Sequence, residues 1–160
     1  SRSLWTSRIS GRRRALSKIE EIFEALNKSR AKYLLIGGMA SVLYGVPRTT
    51  VDLDIAILPS KTNVQRTIDA LRGVGLTCET ENADEIVAQG GITFSNALSI
   101  DVLTALPGKM KFESLWERRK AVVYRGIELK VVSKADQIKM LKAVGRARDL
   151  EDAETMEKYP

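Results

Sequence analysis

The chain has 160 residues, 44% of them hydrophobic and 29% charged, with one cysteine and no histidine. That composition suits one folded domain with a real core. It excludes Ser-His-Asp and Cys-His catalysis, histidine-ligated metals and an intrachain disulfide.

The formal charge of +6 is local: Arg2, Arg8, Arg12, Arg13, Arg14 and Lys18 account for all of it, since setting these six aside leaves 20 basic against 20 acidic residues. Residues 19–160 are therefore formally neutral. Residues 1–16 read as a basic arm, poorly ordered or partner-bound, and 17–160 as a single domain. The arm lacks the apolar run of a secretory signal. No apolar stretch approaches the roughly 18–20 residues of a membrane helix, so no membrane contact is expected. The lone Cys78 points to a reducing compartment, hence the cytoplasm.

Ser17 caps a first helix, with Glu20 completing a capping box and Ile19, Ile22, Phe23 and Leu26 forming its apolar face. Lys32–Ile36 reads as a strand that Gly37-Gly38 breaks. Met39–Tyr44 is a short helix, stopped at Gly45-Val46-Pro47. Val51–Leu58 is a second strand ended by Pro59. Thr62–Val74 is a helix with Gly75 as its cap. Residues 76–98 show no clear period; Ile86–Ala88 and Ile92–Phe94 are read as strand pieces about Gly90-Gly91. Ser99–Leu103 is a short strand and Phe112–Lys120 a helix. Ala121–Tyr124 and Ile127–Val132 form a hairpin around Arg125-Gly126. Ser133 caps a helix through about Ala147, and a last helix runs from Leu150 to Lys158. The sum is an α+β domain, a mixed sheet with helices on one or both faces.

Three features carry chemistry. Leu34-Leu35-Ile36-Gly37-Gly38 runs a strand into two glycines and a helix, which suits a phosphate; a plain tight turn is the competing reading. In Val51-Asp52-Leu53-Asp54-Ile55-Ala56-Ile57, period two puts Asp52 and Asp54 on one face. Two neighbouring carboxylates in an apolar strand repel and resist desolvation, and a divalent cation is the simplest relief. A solvated strand end is the alternative. In Ser99-Ile100-Asp101-Val102-Leu103 an acid sits mid-strand among apolar residues, where a metal, a cleft or a salt bridge would account for it. Cys78 reads as an incidental or buried thiol.

The order of these pieces resembles the nucleotidyltransferase superfamily that includes DNA polymerase β: Gly37-Gly38, thirteen residues, Asp52-Leu53-Asp54-Ile55, and later Asp101. The lead-in Arg48-Thr49-Thr50-Val51-Asp52 and the tail from Lys139 to Asp152 are similar to small prokaryotic members related to abortive-infection toxins. The resemblance covers residues 17–158. It implies a polymerase-β-like fold and transfer of a nucleoside monophosphate from an NTP to an acceptor hydroxyl. Asp52, Asp54 and Asp101 would hold Mg²⁺ or Mn²⁺, with Asp101 nearer the acceptor. Gly37, Gly38, Ser41, Arg48 and Lys139 would meet the nucleotide. Many members carry Gly-Ser at the turn; here Gly38 holds the second position, and Ser41 is the substitute hydroxyl. The acceptor would be a tRNA, a protein or a small molecule. Residues 1–18 would serve an RNA or an acidic partner. The alternatives are a non-catalytic nucleotide- or partner-binding protein of the same fold, or one component of a toxin–antitoxin pair.

Overall fold

The computed structural model describes residues 16–49 and 52–159. The arm 1–15 and residues 50, 51 and 160 lie outside the described residues.

Helix α1 (Lys18–Ser29) leads to β1 (Tyr33–Ile36), α2 (Gly37–Leu43), β2 (Leu53–Ile57), α3 (Lys61–Gly73) and α4 (Ala83–Gln89). Then follow β3 (Gly91–Ser95), β4 (Ser99–Leu103), a 3₁₀ turn at Pro107–Lys109 and α5 (Phe112–Glu117). The hairpin β5 (Lys120–Tyr124) and β6 (Ile127–Val131) precedes α6 (Lys134–Val144) and α7 (Ala147–Lys158). The six strands form one mixed sheet in the order β3-β4-β2-β1-β6-β5. Pairs β2/β4 and β1/β6 are parallel; the others are antiparallel. The α+β reading of the sequence is thus correct.

All four residues of β1 are buried, so the central strand is covered on both faces. Phe23 of α1 meets Tyr33 with ring centroids 5.7 Å apart. That contact sets α1, with α3 beside it, against the face carrying Tyr33, Leu35 and Ile55. Asn63 of α3 ties the strands below the helices. It accepts from Lys32 N at 2.7 Å and donates to the carbonyls of Lys32 and Leu58 at 3.0 and 2.9 Å. Helices α2, α6 and α7 gather in sequence-distant contact beyond the C-terminal end of β1.

The structure corrects the sequence reading in four places. Ile86–Ala88 is helical, not a strand piece: Asn82 accepts from Glu85 N at 3.0 Å, and Ile86 is buried. The side-chain cap and one inward apolar residue decide a short helix where a run of three apolar residues suggested a strand. The helix from Phe112 ends at Glu117, because Lys120 already pairs with Val131 in the hairpin. The helix after Ser133 ends at Val144, where Gly145 takes the left-handed conformation at φ 73° and its N–H bonds Leu141 O. Helix α7 starts at Ala147 instead of Leu150. This glycine stop is what turns α7 back against α6. Gly145→Ala is expected to cost about 1 kcal/mol and to lower the melting temperature by about 2–4 °C, because an L side chain resists that backbone. A thermal melt checks it.

Candidate active site

Sheet register builds the site. Asp54 of β2 lies opposite Asp101 of β4 on one side and Ile36 of β1 on the other. Asp101 in turn lies opposite Thr93 of β3. Residues directly opposite one another share a face, and strands lie roughly 4.8 Å apart. The two acids therefore stand side by side, and Thr93 donates to Asp101 Oδ1 at 2.5 Å. Sequence reasoning could pair Asp52 with Asp54 by period; only the fold could bring Asp101 next to Asp54.

Burial, then the charge of Asp101 and a hydrogen bond between the two carboxyls, then the charge of Asp52, push Asp54 up to about 6; Arg146 pulls the other way. Asp52 is exposed and immediately precedes β2. The folded Asp54 holds a proton to higher pH than the unfolded chain does. Folding therefore takes up a proton between pH 4 and 6, and stability falls as pH rises through that window. Urea melts across the window should show the slope in the native protein and lose most of it in Asp54→Asn.

The turn beside Asp54 is equally constrained. Gly37 has φ +70°, and a Cβ there would lie 2.3 Å from Asp54 Oδ2. Only glycine lets the backbone pass this close to the carboxylate.

Beside Asp54 is a cavity of about 190 Å³, walled by Gly37, Gly38, Asp54, Gln137, Arg146 and Arg148 among others; Asp101 and Thr93 are not part of its lining. Its floor and sides include Ile36, Leu103, Met140 and Leu141. Asp149 and Asp152 of α7 also line it, both nearly buried. Each is paired: Arg146 donates to Asp149 at 2.7 and 3.3 Å, and Arg48 to Asp152. The Asp149 bond keeps Arg146 firmly charged.

The expected nucleotide residues thus divide. Gly37 and Gly38 line the cavity beside Asp54. Arg48 sits behind it, occupied with Asp152 and with its Nε buried and unpartnered. Ser41 is fully buried and accepts from Gln137 Nε2 at 3.1 Å. Lys139 is on the exposed side of α6 and does not line the cavity. Cys78 is half-buried, bonds Thr80 O, and is pushed up by burial, which suits no nucleophile. Arg146, Arg148 and Gln137 were not anticipated as site residues. The first two were visible as a basic pair at a helix start; Gln137 looked like any polar helix residue.

The carboxylate pair fits a divalent cation. Oxygen donors, a repelling pair of carboxylates and an adjacent open cavity are what Mg²⁺ uses, together with substrate phosphates and waters. Among the described residues no group of three acids or thiols is gathered into a ready-made metal cage.

The same architecture occurs in solved enzymes. The lincosamide antibiotic adenylyltransferase LnuA, in its lincomycin-bound structure, matches 88% of this chain and 94% of its own at a TM-score of 0.63 and 18% identity. The chain has the nucleotidyltransferase fold. The antibiotic-resistance factor ANT(2'')-Ia matches in its solution structure at a TM-score of 0.61 and 14% identity, over 88% of this chain and 81% of that one. Its complex with adenylyl-2''-tobramycin matches at a TM-score of 0.58 and 14% identity, covering 88% and 86%. No family model matches the chain, and no curated protein matches it in sequence. No helix among the described residues is long and apolar enough to cross a membrane.

Within the nucleotidyltransferase fold, the carboxylate row stands at the end of the sheet that faces α6 and α7. The cations of α7 stand opposite it.

Proposed function

We propose that the chain transfers a nucleoside monophosphate from an NTP to a hydroxyl of a small-molecule acceptor. The observation that carries this reading is the pairing of Asp54 with Asp101 across parallel strands, one residue from the Gly37 turn. The fold's solved relatives include an adenylyltransferase bound to lincomycin and an enzyme bound to an adenylylated tobramycin. Both are small molecules, and the modest cavity favours that class over a macromolecular acceptor.

Asp54 and Asp101 would hold Mg²⁺, with Asp52 completing the set from the strand's entrance. The metal, when bound, neutralises charge on the transferred phosphate. The protein's own part is placement and electrostatics. Gly37 and Gly38 let backbone approach the phosphates. Arg146 and Arg148 offset phosphate charge from the opposite wall, Arg146 held ready by Asp149. The chain has no histidine, so a carboxylate is the natural base, and Asp101, the outer member of the pair, would take the acceptor's proton. Its Thr93 bond fixes which way the carboxyl faces.

The test is incubation of the protein with each labelled NTP, Mg²⁺ or Mn²⁺, and three pools: hydroxylated small molecules, total tRNA, and lysate protein. Labelled small-molecule product and released pyrophosphate support the reading. Label only in RNA or protein moves the acceptor to that class. Absence of pyrophosphate release in every pool refutes nucleotidyl transfer.

A further inference from the structure

Gln137 has an unmet hydrogen bond at the wall of the cavity. Its side chain is 1% exposed. Its Nε2 donates to Gly37 O at 2.9 Å and to Ser41 Oγ at 3.1 Å. Gly37 O can only accept, so the amide's orientation is fixed: nitrogen toward the turn, oxygen away from it. That oxygen, Oε1, is buried and has no hydrogen-bond partner. Buried carbonyls are nearly always satisfied, so an exception calls for a donor that arrives from elsewhere.

The donor must come from whatever fills the cavity, since Gln137 and Asp54 line the same space. Met140 and Leu141, one helical turn further along the same face of α6, share that wall. Met140 is unbranched and adaptable, so that wall can repack around an occupant. A triphosphate offers no hydrogen-bond donor. The nucleobases differ in theirs. The ribose hydroxyls are donors that all four ribonucleotides share, and they belong to the sugar that carries the triphosphate.

We propose that Gln137 Oε1 accepts a hydrogen bond from a ribose hydroxyl of the bound NTP, making Gln137 a contact to the sugar and, if the 2'-hydroxyl is the donor, a selector for ribonucleotides. The proposal rests on the nucleotide-binding reading above. It adds a role for α6 that neither the carboxylate row nor the glycine turn supplies.

The experiment is equilibrium binding with Mg²⁺ of one NTP, its 2'-deoxy form and its 3'-deoxy form, to the native protein and to Gln137→Met. In the native protein, loss of the bonded hydroxyl should weaken binding by about 3–10-fold, the range of one net hydrogen bond. In Gln137→Met the penalty should vanish, because the partner oxygen is gone; the cycle isolates the pair from any general damage to the turn. Equal penalties in the two proteins overturn the proposal. So does native protein that binds both deoxy forms as tightly as the NTP, which requires no variant to fold and means that water satisfies the oxygen. Native protein that binds no NTP at all overturns the nucleotide reading itself, a different result from binding without discrimination.

Discussion

Asp54→Asn is expected to abolish nucleotidyl transfer while leaving the fold at least as stable as before. Both halves follow from the same geometry. Asp54 stands between Asp101 and the Gly37 turn, so it is the carboxylate through which a cation would meet the nucleotide. A metal's stabilisation of phosphate charge is worth several kcal/mol, or about 10³-fold or more in rate. Asparagine keeps the size and one oxygen but removes the charge. It also removes a repulsion, since Asp54 is pushed up by burial, Asp101 and Asp52. Discounted for partial exposure, relief of that strain is worth about 1 kcal/mol above pH 6, or roughly 2–4 °C in melting temperature. Mg²⁺ should raise the melting temperature of the native protein and have little effect on the variant. Product formation at the native rate would remove Asp54 from the site. A variant that melts well below the native protein would show that Asp54 holds the fold together instead.

Gly37→Ala should be nearly as damaging to activity, for a steric reason. Two penalties coincide at this position. The backbone is at φ +70°, which costs an L residue about 1–2 kcal/mol. A Cβ would also meet Asp54 Oδ2 at 2.3 Å, Cγ at 2.9 Å and Cβ at 3.0 Å. Something must shift, and the Asp54 side chain is the nearest mobile group. Displacing a catalytic carboxylate by about 1 Å is enough to lose about 10²-fold in rate. Gly45→Ala is the matched control. Gly45 also has a positive φ, at +100°, but nothing lies within 4 Å of its Cβ position. The control should lose similar stability and keep its activity. Steady-state kinetics and melts on the two variants separate the clash from the backbone strain; equal activity loss in both would deny the clash any role.

The sequence made the acids visible and the helices' inner faces opaque. Asp52, Asp54 and Asp101 stood out because each interrupts an apolar strand, and strand period says where neighbours point. Only the parallel pairing of β2 with β4, a contact across nearly fifty residues, could say that Asp54 and Asp101 touch. On α6 the inner stripe is Asp136, Gln137, Met140 and Leu141. Half of that stripe is polar, so no apolar period marks it as the inner face. Lys139 was chosen as the likelier contact, yet it lies two residues, about 200° of helical turn, beyond Gln137. Asp136 is held inside by Arg118, which donates to it at 2.8 and 3.1 Å, and no local pattern announces that partner. Asp149 and Asp152 stand near the start of α7, and Asp149, in its first turn, complements the dipole. Their second use, as partners for Arg146 and Arg48, needed the fold.

The Arg48–Asp152 ion pair ties two events together in time. Arg48 belongs to the connection that delivers Asp52 to the head of β2, and Asp152 belongs to α7, a hundred residues later. During synthesis the strands that carry the acids emerge long before their clasp does. Until α7 docks, Arg48 lacks its carboxylate partner and the cavity lacks a wall. The site is thus completed from its C-terminal side, and a chain released early would carry every acid of the carboxylate row and still be unarmed.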